Sequence, residues 1–322
     1  MPLFDWPLEQ LRTYQAPAAA PPDFDAFWQR TLGETRKHAL GARFERVDEP
    51  LYCLTHVFDV TFAGFGGQPI RAWLVTPAGA TTRLPTVVSY VGYGGGRSLP
   101  LEHMAPAVAG LAHFVMDNRG QGSGFSPGDT ADEAGSGPQH PGFMTRGIES
   151  PDTYYYRRLI TDAVRAVEAA VTHPLVDAER IAVRGASQGG GLALAAAGLL
   201  GERVKLVAAD VPFLCHFRRA VELGLQAPYN EITRYLAVHR GQIQAVFATL
   251  AYFDGMFFSE RIKARALVSC GLMDQVCPPS TVFAAYNRIT APKEMKLYDF
   301  NEHEGGGIYQ QREWLRWFVE CL

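Results

Sequence analysis

The stretch Gly185-Ala186-Ser187-Gln188-Gly189 constrains this 322-residue chain more than any other. It directly follows the short apolar run 181–183, which reads as a strand, and directly precedes residues 190–200, whose small side chains read as a closely packed helix. A chain passing from strand to helix through one serine must turn sharply there. Glycines on either side permit the turn, since they carry no Cβ to collide with neighbouring backbone. The Ser187 hydroxyl then projects above the sheet, and the N-terminus of the following helix favours negative charge developing beside it. In that setting G-x-S-x-G reads as a nucleophile elbow, whereas the bare pentapeptide would equally suit a turn with an inert serine.

Beyond residue 85, short and nearly continuous apolar runs alternate with helical stretches, as a parallel sheet covered on both faces requires. The runs are 87–91, 113–116, 181–183, 204–209, 266–270 and 295–298. Between the second and third, Leu159, Ala163, Ala166, Val167 and Ala170 recur at helical spacing and predict a right-handed β-α-β crossover. Upstream, residues 52–62 and 70–76 are rich in Val, Phe, Thr and Leu, with Gly64, Gly66 and Gly67 between, and predict two antiparallel strands. Helices are expected over 8–14 and 23–40, split by a Pro/Ala-rich connector over 15–22. Two segments interrupt the alternation. Residues 126–151 are rich in Gly, Pro, Asp and Ser, and 213–258 are helical in character and fall between two strands, where a cap can be inserted.

A serine hydroxyl is a weak nucleophile until a base takes its proton. Above such a sheet the partners follow in the order Ser, acid, His. The acid belongs at a strand end, and run 266–270 leads into Gly271-Leu272-Met273-Asp274. The base belongs after the last core strand, where Asn301-Glu302-His303-Glu304-Gly305-Gly306 follows 295–298; no later histidine exists. Ser187, Asp274 and His303 are the candidate catalytic residues, with Asp274 holding the imidazole tautomer and stabilising the imidazolium. Asp210 is the rival acid, and Asp274 has an ordinary alternative as a helix N-cap ahead of Pro278-Pro279. The expected oxyanion donors are the backbone N–H of Gln188 and that of Tyr93, in the loop Gly92-Tyr93-Gly94-Gly95-Gly96. The loop Asp117-Asn118-Arg119-Gly120-Gln121-Gly122 reads as a hydrogen-bonded structural turn, since Arg119 and Gln121 have no evident part in ester hydrolysis. Phe213 and Val276 lie near elements expected to border the site.

These readings assemble into one α/β-hydrolase domain over 1–322: a mostly parallel central sheet with helices on both faces, an N-terminal helical extension (1–50) and a helical insertion near the active site (213–258). With 30 Lys+Arg against 33 Asp+Glu and no run of like charge, nucleic acid and anionic membranes are not expected partners. No basic-then-apolar leader opens the chain, and no apolar run approaches the roughly 18 residues that span a bilayer. The five cysteines include no C-x-x-C pair, which suits free thiols and a cytoplasmic location. No G-x-G-x-x-G, P-loop or H-E-x-x-H pattern occurs, so neither a cofactor nor a metal is expected.

Taken together, Arg119-Gly120-Gln121, Gly185-Ala186-Ser187-Gln188-Gly189 and His303-Glu304 resemble the cephalosporin-C deacetylase and acetyl xylan esterase family, carbohydrate esterase family seven. Pro141-Gly142-Phe143-Met144-Thr145-Arg146-Gly147, Asp210-Val211-Pro212-Phe213-Leu214-Cys215-His216 and Gly271-Leu272-Met273-Asp274 also resemble it, so the likeness runs through nearly the whole chain. Residue by residue, the resemblance puts the family's nucleophile on Ser187, its acid on Asp274, its base on His303 and its oxyanion amides on Tyr93 and Gln188. It implies deacetylation of short acetylated xylo-oligosaccharides and of cephalosporin C, a small acyl pocket, and a homo-oligomer, a hexamer whose sites face an internal chamber. The competing expectations are an α/β-hydrolase with a longer-acyl or peptide substrate and a catalytically silent binding protein. A silent relative normally lacks a triad member, and here all three residue types are present.

Overall fold

Valine-rich runs that bury both faces of a strand set the layout, since they form stable structure only when helices cover the sheet on each side. The computed structural model describes residues 3–132, 137, 139–224 and 226–322. In chain order its elements are α1 (Leu8–Thr13), α2 (Phe24–Thr35), β1 (Arg43–Arg46), β2 (Thr55–Ala63), β3 (Pro69–Pro77), β4 (Leu84–Tyr90), α3 (Ala105–Val108) and β5 (Ala112–Met116). They continue with α4 (Tyr155–Ala170), β6 (Val176–Ala186), α5 (Gln188–Leu200), β7 (Leu206–Asp210), α6 (Phe217–Leu223), α7 (Tyr229–Val238), α8 (Ile243–Leu250) and α9 (Gly255–Ser259). The last are β8 (Arg265–Gly271), α10 (Pro279–Arg288), β9 (Lys293–Tyr298) and α11 (Gly307–Cys321).

The nine strands form one sheet in the order β1-β2-β3-β5-β4-β6-β7-β8-β9. The first three pairings are antiparallel and the remaining five parallel, so all six apolar runs lie in the parallel part. Strand periodicity sends neighbours to opposite faces. Val88, Val183, Val207 and Val268 join the cluster that holds α4 and α5, while Val87, Ala182, Leu206, Ala208 and Leu267 meet Trp314, Trp317 and Phe318 of α11. Burying each of those three aromatic rings contributes about 1.5–3 kcal/mol, which seats α11 and, with it, the loop carrying His303.

The structure differs from the sequence expectation at several ends. The second helix stops at Thr35 rather than at residue 40, and residues 36–38 close it as a turn. The strand expected from residue 52 starts at Thr55, because Pro50–Tyr52 form a short 3₁₀ turn. Arg43–Arg46, inside the expected helical extension, adds an edge strand antiparallel to β2; its sequence, RFER, has no buried face to announce it. Segment 213–258 resolves into α6 to α9 between β7 and β8. Of the expected loop 126–151, residues 133–136 and 138 lie outside the described residues. Among the described residues no helix is long and apolar enough to cross a membrane, and the five cysteines are unpaired.

Candidate active site

β6 delivers Ser187 to the C-terminal end of the parallel strands. The residue adopts φ 56° and ψ −123°, a strained conformation for a side chain bearing a Cβ, at a cost of order 1–3 kcal/mol. Neighbouring backbone holds it there: Ser187 N–H donates to the Asp210 carbonyl at 2.9 Å, and Phe213 N–H donates to the Ser187 carbonyl at 2.9 Å. Gly185 and Gly189 are required on either side. A Cβ on Gly185 would collide with the Gly189 carbonyl, and one on Gly189 with the Tyr90 carbonyl.

His303 comes from the loop after β9 and Asp274 from the loop after β8. Ser187 Oγ lies 2.9 Å from His303 Nε2, and His303 Nδ1 lies 2.8 Å from Asp274 Oδ2. Asp274 has no solvent exposure. Its second oxygen accepts N–H bonds from Val276 (2.8 Å) and Cys277 (2.9 Å), so the carboxylate is fixed by the turn that leads into α10. The rival Asp210 is engaged elsewhere, accepting from Gln310 Nε2 at 2.7 Å and Arg184 at 3.2 Å. Glu304 braces the histidine loop by accepting from Glu302 N–H at 3.0 Å and from Asn301 Nδ2. The Asn301 bond holds the Glu304 carboxyl below its usual range. Burial, and then the nearby Asp274 charge, push the Cys277 thiol up, so it faces Ser187 as a neutral group. Asp274, Cys277 and His303 present ligand-type atoms within 4.8 Å of one another, the one such grouping found among the described residues.

Tyr93 borders the opening over Ser187, and Gln188 follows Ser187 directly with its side chain fully buried. As first residue of α5, Gln188 has an amide with no intrahelical acceptor. Among the described residues, neither its N–H nor that of Tyr93 donates to a backbone carbonyl. The loop bearing Tyr93 is pinned from below. Gly94 N–H donates to Gln121 Oε1 at 2.6 Å, and Asn118 Nδ2 donates to the carbonyls of Gly92 (3.3 Å) and Gly95 (2.9 Å). Gln121 Nε2 also donates to Gln188 Oε1 at 3.0 Å, which links the Gln188 side chain to Gly94, the residue after Tyr93. Sequence reasoning had Arg119 and Gln121 as structural. Both fit: Arg119 is fully buried in a two-pronged pair with Asp162 (2.5 and 2.8 Å), and Gln121, also fully buried, supports the Tyr93 loop from beneath without lining the cavity.

A cavity of about 670 Å³ opens over Ser187 and His303, walled by Tyr93, Phe125, Pro228, Glu231 and Val276 among others. Val276 therefore borders the site as expected. Phe213 does not: it is fully buried, 4.2 Å ring to ring from Tyr229, and supports Tyr93 from behind at 6.2 Å.

A mostly parallel sheet with a serine elbow after β6, an acid after β8 and a histidine after β9 defines an α/β-hydrolase. The family model described as Acetyl xylan esterase (AXE1) matches residues 1–321, and the chain belongs to that family. Among solved structures it is similar to an acetyl xylan esterase from Paenibacillus sp. R4, with 42% identity and a TM-score of 0.91 over 98% of this chain and 100% of that one. It is also similar to acetyl xylan esterase 1 from Thermoanaerobacterium sp. JW/SL YS485, with 33% identity and a TM-score of 0.89 over 99% of each. A further relative is the acetyl esterase Axe7A of Xylanibacter ruminicola, 28% identical over 305 residues, which are 92% of this chain and 67% of that one. The chain is a carboxylic ester hydrolase.

Proposed function

We propose that the chain removes acetyl groups from short acetylated xylo-oligosaccharides and other small acetyl esters such as cephalosporin C, through an acetyl-enzyme on Ser187. The observation that carries this reading is the unbroken chain of hydrogen bonds from Ser187 through His303 to the buried Asp274. His303 Nε2 takes the hydroxyl proton as Ser187 Oγ attacks the acetyl carbonyl, and Asp274 stabilises the imidazolium that results. The N–H groups of Tyr93 and Gln188 receive the negative oxygen. Collapse of the tetrahedral intermediate expels the sugar alkoxide, which takes the proton back from His303. Water, deprotonated by the same imidazole, then releases acetate and regenerates Ser187.

The names of the relatives support acetyl as the acyl group, and Val276 and Phe125 in the cavity wall support a short one. The test is to compare kcat/KM for p-nitrophenyl acetate, butyrate and octanoate, alongside acetylated xylose, cephalosporin C and a peptide amide. Acetyl should lead, because each surplus methylene in a filled pocket costs about 1–3 kcal/mol. Equal rates on acetate and octanoate esters would replace this reading with an open, lipase-like groove. The same reading includes a cytoplasmic location, supported by the unpaired cysteines, and a closed hexamer. The hexamer rests on the family resemblance, since the described residues of segment 126–151 find their order within the chain itself, with Phe143, Met144 and Ile148 buried in its core.

A further inference from the structure

Two loops and the helical insertion meet at one phenol. The Tyr93 hydroxyl accepts N–H bonds from Gly142 (3.0 Å) and Phe143 (2.9 Å) and donates its proton to Glu231, whose two oxygens lie 2.7 and 2.9 Å away. Glu231 also accepts the Met144 N–H at 3.1 Å. The Tyr93 ring lies edge-on to Phe143 at 5.7 Å and to Phe213 at 6.2 Å. Glu231 sits in the first turn of α7, 138 residues along the chain from Tyr93, and both residues line the cavity over Ser187.

The tie is chemically specific. A phenol oxygen that already receives two N–H donors has one proton left to give, and a carboxylate is the strongest acceptor for it. Glu231 needs both oxygens for the phenol and the Met144 amide, so a carboxamide at this position would turn an NH₂ toward another donor. On the backbone side the peptides flanking Tyr93 are held by Gln121 and Asn118, as described above. The side chain is therefore the remaining freedom through which the Tyr93 amide could tilt, and Glu231, acting with the Gly142 and Phe143 N–H groups, restrains it.

We propose that Glu231 is a positioning residue for catalysis: by holding the Tyr93 phenol it aims the Tyr93 N–H at the oxyanion. This rests on the assignment of that N–H as an oxyanion donor. Loss of a whole donor costs about 10²–10³ in kcat, so misaiming one predicts a fall of about 10- to 100-fold.

The experiment compares Glu231→Gln, Tyr93→Phe and the double variant of the full-length protein on p-nitrophenyl acetate, with rates normalised to active sites titrated by a fluorophosphonate. Each single variant is expected to lose about 10- to 100-fold in kcat with KM within about twofold, and the double variant to be no worse than the poorer single. Methylboronic acid, whose adduct on the nucleophile carries a negative oxygen, should bind more weakly by a similar factor. A kcat per titrated site within about twofold of wild type, or a double variant losing the product of both single losses, would overturn the proposal. So would a loss confined to the number of titratable sites and to Tm, since that marks a purely structural tie. Labelling that persists in these variants and vanishes in Ser187→Ala keeps the nucleophile assignment apart from this one, whichever way kcat moves.

Discussion

Replacing Asp274 by Asn swaps one carboxylate oxygen for an amide nitrogen in a side chain with no solvent exposure. The amide can be seated two ways. With its nitrogen toward the loop, the N–H groups of Val276 and Cys277 lose their acceptor, at about 1–3 kcal/mol each. With its nitrogen toward His303, both loop bonds survive and the amide donates to Nδ1. The second seating wins by roughly 2–6 kcal/mol. It forces the imidazole proton onto Nε2, 2.9 Å from Ser187 Oγ, and leaves no lone pair to take the serine proton. A wrong tautomer of this kind costs on the order of 10⁴ in kcat, or about 5.5 kcal/mol in the barrier. The assay is steady-state hydrolysis of p-nitrophenyl acetate by the folded variant, with folding checked by circular dichroism. If kcat stayed within about tenfold of wild type, the tautomer argument would be wrong and His303 would not depend on Asp274 for its orientation.

Ser187→Ala and His303→Ala should each lower kcat by something approaching 10⁶, and the double variant by no more; a folded Ser187→Ala protein keeping about a tenth of the rate would remove the nucleophile assignment. Light scattering should return a hexamer, with acetate released from acetylated oligosaccharides and not from polymeric acetyl xylan; a monomeric mass contradicts the assembly, and equal rates contradict the size filter. Stability should depend on pH through two buried histidines: burial and Arg219 hold His216 down at about 4, and burial and His103 hold His113 down at about 3. Both pKa values are depressed in the fold, so the unfolded chain binds more protons below about pH 6.5. Their stabilisation is present above that pH and fades as pH falls toward 4. His216→Gln should flatten the rise in unfolding free energy between pH 5 and 8 by about 2 kcal/mol, read by chemical denaturation, and an unchanged slope would refute the linkage.

What could be read from the chain was whatever local pattern dictates. The apolar runs became β4 to β9 because a doubly covered strand has to be apolar throughout. The elbow was legible because strand, glycines and helix are contiguous in sequence. His303 and Asp274 could be selected by order along the chain, and the structure brings His303 into hydrogen-bond reach of Ser187 and Asp274 into reach of His303. The supports of the oxyanion loop were hidden for the opposite reason. Gln121 meets Gly94 and Gln188 across 27 and 67 residues, and Glu231 meets Tyr93 across 138, so no window of sequence contains either contact. The Arg119-Gly120-Gln121 stretch carries the local signal, and its reading as a hydrogen-bonded structural turn holds; what no local pattern shows is that Gln121 supports the loop bearing Tyr93. Phe213 lies near elements that border the site, as the sequence suggests, but does not line the cavity. The turn after β7 carries its side chain instead into the core beside Tyr229.

The most direct measurement of the central claim is rapid acid quench of the protein mixed with p-nitrophenyl acetate, followed by peptide mass mapping. An acetyl group should appear on the peptide containing Ser187 during the first turnover and be absent from Ser187→Ala. Acetyl found instead on Cys277, which lies against the same hydroxyl, or a burst of p-nitrophenol with no acetylated peptide, would contradict an acetyl-enzyme on Ser187.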